Sequence, residues 1–220
     1  MDDKKFCFIT CVNDEFLYKE SVRYIENLQM PPGMKAELLA VRGAKSMTAG
    51  YQAAMEASEA KYKIYLHQDV FVVNSRALKD VLKVFSRQPD IGIIGLLGAS
   101  NLEHSNPVWW ESSTRCGKAY FKREPETIHL DNFGDFNKEF QQVTALDGIF
   151  LATQYDVPWR SDLFNGWHFY DISQTREFIK HGYQAVVVRQ EEPWLVHACG
   201  RKVVDEAYLQ NMEIFKKNYC

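Results

Sequence analysis

Short apolar runs alternate along this chain with stretches of helical period, and the alternation predicts strands and helices in turn. Residues 6–12 are apolar and read as a first strand, ended by Asn13 and Asp14, whose side chains suit a helix N-cap. Between 15 and 29, Leu17, Tyr24, Ile25 and Leu28 recur at helical spacing, and Pro31-Pro32-Gly33 stops that helix. Residues 37–41 form a second strand. The loop Arg42-Gly43-Ala44-Lys45 follows, and Ser46 caps a helix with Met47, Tyr51, Ala54 and Met55 on one face. Residues 61–73 are the most informative stretch: a strand rich in Tyr62, Ile64, Tyr65 and Leu66 is interrupted by His67, Gln68 and Asp69 before apolar residues resume. Asn74 and Ser75 then cap a third helix with Leu78, Val81, Leu82 and Phe85 inward. Residues 91–97 are an apolar run suited to a central parallel strand.

This β-α-β-α-β-α-β order predicts an α/β fold with a mostly parallel open sheet and helices on its faces. Ligands of such sheets bind beyond the carboxyl ends of the strands. Asn13, residues 42–46 and residues 67–69 all fall there. The second half is more irregular. Residues 99–142 are long and aromatic, with two hairpin strands at 119–122 and 127–130. Residues 143–153 read as a strand broken by Asp147-Gly148. A helix is expected from Asp171 to Gly182, strands at 184–188 and 194–197, and a closing helix over 204–217. No linker composition separates the halves, so one domain over 1–220 is expected.

Several polar positions bear on chemistry. On an extended backbone, side chains at i and i+2 share a face, so His67 and Asp69 point the same way. An imidazole and a carboxylate together suit a divalent cation, or they hydrogen-bond a neighbouring loop. Arg42 to Ser46 reads either as an anion-binding turn at a helix start or as a solvated loop with a Ser cap. It has neither P-loop nor G-x-G-x-x-G spacing. Asp171 has capping-box spacing to Gln174, and a carboxylate used as an N-cap is a poor base unless desolvated. Asp147 interrupts an apolar strand, so its charge needs a reason. His197 closes the strand 194–197. Trp109, Trp110 and Trp167 offer flat faces to sugar rings or to the core.

Hydrophobic residues make up 46% of the 220 residues and charged residues 25%, with a formal net charge of -3. That balance argues against nucleic acid or an anionic membrane as the main partner. The five cysteines are odd in number and fit no zinc or disulfide framework, so reduced thiols and a cytoplasmic setting are expected. Met-Asp-Asp-Lys-Lys does not open a signal peptide, and no apolar run reaches membrane-spanning length. Peripheral association with a membrane and homo-oligomer formation stay open.

Taken in order, the His-Gln-Asp, Trp-Trp-Glu-Ser, Ala-Thr-Gln-Tyr-Asp and Gly-Trp-His-Phe-Tyr-Asp segments make the chain resemble the GT-A nucleotide-diphospho-sugar transferases. The likeness is to the family 2-like enzymes, most of all the small group typified by the streptomycin-biosynthesis glycosyltransferase-like proteins. It implies a single GT-A domain with a nucleotide-binding half (1–98) and an acceptor-binding half (99–220). It implies hexosyl transfer from a UDP-, GDP- or dTDP-sugar to a hydroxyl acceptor such as a glycan, with inversion. Asp69 matches the last Asp of the family's Asp-x-Asp and would bind the metal. His67 stands where the first Asp is usual, and His197 where many such enzymes supply a metal-binding histidine. Nitrogen ligands favour Mn2+ over Mg2+. Asn13, Arg42, Lys45, Gln68, Asp147 and Trp167 would line the donor site. Asp171 matches the catalytic carboxylate, although Tyr170 precedes it where an acid is usual. The alternative implied by these departures is a sugar-nucleotide-binding module without turnover.

Overall fold

The computed structural model describes residues 1–124, 127–199 and 204–220. The first half runs β1 (Asp2–Val12), α1 (Glu15–Glu26), β2 (Lys35–Arg42), α2 (Met47–Ala57), β3 (Ala60–His67), β4 (Val70–Val72), α3 (Ala77–Arg87), β5 (Ile91–Gly95) and β6 (Leu97–Ala99). After a 3-10 turn at Trp109–Glu111 come β7 (Arg115–Glu124), β8 (Thr127–Asn132), β9 (Phe140–Gln142), β10 (Ala145–Leu146) and β11 (Phe150–Thr153). Then follow α4 (Tyr170–Lys180), β12 (Gln184–Val188), β13 (Leu195–His197) and α5 (Glu206–Tyr219).

The main sheet has seven strands in the order β2-β1-β3-β11-β5-β12-β9. Strands β2, β1, β3, β5 and β12 run one way, while β11 and β9 oppose them. The expected mostly parallel sheet is present, with one strand of the second half driven into its middle. The other strands form a second assembly, β10-β6-β7-β13-β4, with β8 pairing β7 off this path.

The alternation of side chains along β3 explains why its sequence is apolar on both faces. Ile64 and Leu66 pack with Phe6, Phe8, Val81 and Phe85 on one side. Tyr65 packs with Cys7, Ile9, Tyr51 and Met55 on the other. Lys63 is fully buried on β3, and its ammonium meets both carboxylate oxygens of Asp156 at 2.7 and 2.9 Å. A lysine can be buried only if its charge is compensated in this way.

Several expectations change. Residues 61–73 are two strands in different sheets, joined by a turn at Gln68 and Asp69. Residues 143–153 likewise split: β10 lies in one sheet, β11 in the other, and Asp147-Gly148 is the crossing. Backbone pairing decides this, because an apolar run reads the same whichever sheet receives it. The stretch 99–142 is more regular than expected, with β7 and β8 longer than the predicted hairpin strands; its connecting residues 125 and 126 lie outside the described ones. Helix α1 ends at Glu26 with Asn27 as C-cap, before the prolines. Helix α4 begins one residue before Asp171. Its N-cap is Phe169, with no side-chain capping bond, so the capping-box expectation fails.

Candidate functional site

The polar clusters sit where the chain passes between the two sheets. His67 ends β3, and the turn through Gln68 and Asp69 leads into β4. Strand β13 pairs antiparallel with β4 and sets His197 opposite Val70. The backbone N–H of Ala198 donates to the Asp69 carbonyl at 2.9 Å, carrying the ladder past the strand end. This register brings the two histidines together across 130 positions of chain. Nδ1 of His67 lies 3.4 Å from Nε2 of His197. The same Nε2 lies 3.3 Å from Oδ1 of Asp69.

One ligand atom from each of His67, Asp69 and His197 lies within 4.8 Å of the others. The closest pairs have the spacing of neighbouring ligands about an ion with bonds of about 2.0–2.2 Å. Two imidazoles and a carboxylate therefore fit a divalent transition metal. Electrostatics supports the neutral state of one of them: burial and the neighbouring His197 push His67 down to about 4. At His197 burial opposes the imidazolium, but the contact with Asp69 outweighs it and raises the pKa. Asp69 shows the reverse balance, with burial opposing its charge and His197 lowering it to about 2.

A cavity of about 270 Å³ opens beside these groups, walled by Cys11, Asn13, Met47, His67, Gln68, Asp69 and Trp167. Gln68 ties the ends of β1 and β3 together: its Oε1 accepts from the backbone N–H groups of Asn13 and Asp14, each at 2.8 Å. Its amide donates to Oδ1 of Asn13. Asn13 and Gln68 thus form one rigid wall. Trp167 is 47% exposed, leaving a flat face at the rim.

Arg42 and Lys45 lie outside the residues lining this cavity. The Arg42 guanidinium pairs with the Glu15 carboxylate through two hydrogen bonds and lies 5.8 Å over the Tyr18 ring. Ser46 does cap α2, accepting from Ala49 N–H at 3.1 Å, but Met47 N–H donates to the Gly166 carbonyl at 3.0 Å. The first turn of α2 is therefore docked on the 164–166 loop, and these two amides are not offered to an anion. Gly43 and Ala44 of the same loop do line the cavity.

Asp171 stands in the first turn of α4. Its Oδ2 accepts from Gly148 N–H at 3.0 Å and its Oδ1 from Ile172 N–H at 2.9 Å. Burial and the charge of Asp147 push Asp171 up to about 7. Asp147 also acts on His67, favouring its charged form. Asp147, His67 and Asp171 thus share one electrostatic neighbourhood. Asp171 opens onto a second, smaller concavity lined by Trp109, Trp110, Phe169 and Tyr208. Trp109 is itself core, whereas Trp110 is partly exposed. Asp69, His197 and Asp171 do not wall one cavity. They are joined by a short chain of contacts: Tyr170, next to Asp171, hydrogen-bonds His67, which faces His197.

In this neighbourhood sequence reasoning misses Cys11 and assigns no role to Gly148 or Tyr170. Burial raises the Cys11 thiol to about 12, so it is a neutral wall. Gly148 and Tyr170 were adjacent to residues already singled out. Their signal was the glycine after an acidic break and a tyrosine where an acid is usual.

Among solved structures, S. aureus TarS 1-349 is similar, with TM-score 0.57 and 10% identity over 88% of this chain and 60% of that one. The same protein in complex with UDP-GlcNAc gives TM-score 0.56 and 9% identity, covering 93% of this chain and 60% of that one. A mannosyltransferase from Pyrobaculum calidifontis, in complex with GDP-Man and Mn2+, gives TM-score 0.53 and 12% identity over 93% of this chain and 58% of that one. At these identities the likeness is one of fold, that of GT-A glycosyltransferases. The chain spans about 60% of the length of these solved chains. No curated protein matches it. Among protein families, the model described as "Glycosyltransferase like family" matches residues 7–219, and the chain belongs to that family.

Proposed function

We propose that this protein transfers a sugar from a nucleotide-diphosphate donor to a hydroxyl acceptor, assisted by a divalent metal and with inversion at the anomeric carbon. The observation that carries this reading is the convergence of His67, Asp69 and His197 beside the cavity at the strand ends, one contact removed from Asp171. A UDP-, GDP- or dTDP-hexose is the expected donor class, and a glycan hydroxyl the expected acceptor. TarS with UDP-GlcNAc and the mannosyltransferase with GDP-Man and Mn2+ support a sugar nucleotide on this fold.

Asp69 and His197, with His67 as third ligand, would hold the metal; mixed nitrogen and oxygen ligation suits Mn2+ better than Mg2+. Bound there, the cation supplies positive charge to the diphosphate leaving group. Asn13, Gln68 and Trp167 orient the donor, the indole by stacking on a ring of base or sugar. Asp171 takes the proton of the acceptor hydroxyl. The acceptor oxygen forms a bond to the anomeric carbon as the bond from that carbon to the diphosphate oxygen breaks, and the diphosphate leaves with the electron pair. One base and one displacement give inversion. A base matched to neutral pH needs a raised carboxyl pKa, which burial and Asp147 supply at Asp171. Arg42 and Lys45 keep a role only at the outer edge of the donor. Five free cysteines suit the reducing cytoplasm as the place of reaction.

The second reading, a sugar-nucleotide-binding module, is favoured by His67 and Tyr170 standing where acids are usual. Calorimetry with UDP, GDP and dTDP in Mn2+, run beside donor-hydrolysis and transfer assays, separates the two. Transfer by the wild-type chain that Asp171→Asn abolishes while nucleotide binding persists supports the transferase. Binding with neither hydrolysis nor transfer across all donors sinks it in favour of the module.

A further inference from the structure

The mechanism above leaves one buried polar group without a task. Tyr170 is 4% exposed, boxed by the rings of Tyr51 and Trp159. Its hydroxyl nonetheless reaches Nε2 of His67 in a close hydrogen bond. The opposite nitrogen of that imidazole, Nδ1, faces His197 and Asp69.

Two further features serve this placement. Phe169, just before Tyr170, has φ 61 and is the one left-handed non-glycine residue among those described. Such a conformation costs on the order of 1–2 kcal/mol for a residue with a Cβ, and it persists only where the surroundings enforce it. Here it turns the chain into α4 so that Tyr170 points at His67 and Asp171 at Gly148. Gly148 in turn leaves room for the tyrosine. A Cβ there would sit 2.5 Å from Cζ of the Tyr170 ring and closer still to its hydroxyl. A strained backbone residue, a glycine with no space for a side chain and a buried hydroxyl therefore converge on one imidazole nitrogen.

An imidazole ligand has a requirement that a carboxylate ligand lacks. One ring nitrogen must present its lone pair, so the proton must stay on the other and have an acceptor there. A carboxylate has two equivalent oxygens and no tautomer to select. We propose that Tyr170 is a positioning residue: its oxygen accepts the Nε2–H of His67, which leaves the Nδ1 lone pair aimed at the gap shared with Asp69 and His197 and makes His67 a third metal ligand. This inference rests on the metal site of the proposed function. It links two departures, because a histidine at 67 needs an acceptor at its second ring nitrogen and the hydroxyl at 170 stands there.

The test measures Mn2+ binding, with UDP present, by calorimetry and by electron paramagnetic resonance with detection of nitrogen coupling. Wild type, Tyr170→Phe, His67→Asp and His67→Asp/Tyr170→Phe are compared, with circular dichroism checking that each is folded. Loss of an outer-shell partner weakens metal binding by about 10–100-fold. Tyr170→Phe should show that loss together with a weakened nitrogen coupling. In the His67→Asp background the same change should leave Mn2+ affinity nearly unchanged, because an aspartate has no ring N–H for the hydroxyl to accept and no tautomer to select. Unchanged affinity in Tyr170→Phe, or an equal loss in both backgrounds, overturns the inference while the metal site stands. Absence of Mn2+ binding by the wild type overturns the metal site and this inference with it.

Discussion

Oδ2 of Asp171 accepts a hydrogen bond from the backbone N–H of Gly148 at 3.0 Å, so the proposed base is held by the peptide that follows a neighbouring acid, Asp147. Burial opposes the ionisation of Asp171, and the charge of Asp147 adds to it. Together they raise Asp171 to about 7. A base works deprotonated, so the transfer rate should climb as pH rises through about 7 and level off above it. Asp147→Asn removes the like charge, and the rising limb should move to lower pH. Asp171→Asn should cut the rate about 10²–10⁴-fold and leave the nucleotide dissociation constant nearly unchanged. A pH–rate profile that Asp147→Asn leaves in place would show that the two acids are not coupled.

The same raised pKa has a consequence for stability. The folded state holds the Asp171 proton more tightly than the unfolded chain, whose carboxyl has the ordinary value of 3.8. Its contribution is fully present below about 4 and is lost as pH rises through about 7. Asp171→Asn, neutral throughout, should therefore be more stable than wild type at pH 8, by roughly 1–3 kcal/mol once partial exposure is allowed for, and no more stable at pH 4. Urea denaturation at the two pH values measures this; an equal difference at both contradicts it.

Gly148→Ala places a methyl group against the ring and hydroxyl of Tyr170. Overpacking of this kind costs about 1–3 kcal/mol, because side chains or backbone must move. The displaced Tyr170 and the lost alignment of Asp171 should lower transfer by more than the loss of folded protein explains. Thermal unfolding and specific activity corrected for the folded fraction check both parts. Wild-type stability would mean that Tyr170 shifts freely.

Lys63 and Asp156 offer a test remote from the proposed site. The ammonium is fully buried, while the carboxylate side chain is 33% exposed. Asp156→Ala leaves the charge unpaired and should cost about 3–5 kcal/mol. Lys63→Met, which removes the charge and keeps the volume, should cost far less. The double variant should resemble Lys63→Met, and chemical denaturation of the three decides the matter.

Much of the first half was legible in the chain because its signals are local. The period of apolar residues and the caps at Asp14 and Ser46 place α1 and α2. The unbroken apolar run at 91–97 marks a strand covered on both faces. Asp69 and Asp171 stood out as charges interrupting apolar or aromatic sequence. His67 and His197 stood out as polar ends of apolar strands. Cys11 and Gly148 did not, because a small neutral residue shows its purpose only through what packs against it. Tyr170 was noticed for the acid it replaced, not for the imidazole it holds.

By itself the sequence determined the kinds of element, their order, a mostly parallel sheet and the strand ends at which the polar residues gather, since each depends on neighbours within a few positions. Only the tertiary structure decided which sheet each strand joins, that β11 enters between β3 and β5, and that His197 reaches Asp69 through the pairing of β13 with β4. It also decided that Arg42 is spent on Glu15 and that the proposed base meets the proposed metal ligands through Tyr170. These depend on hydrogen-bond register and on contacts between residues far apart in the chain, and no local pattern of polarity encodes such distances.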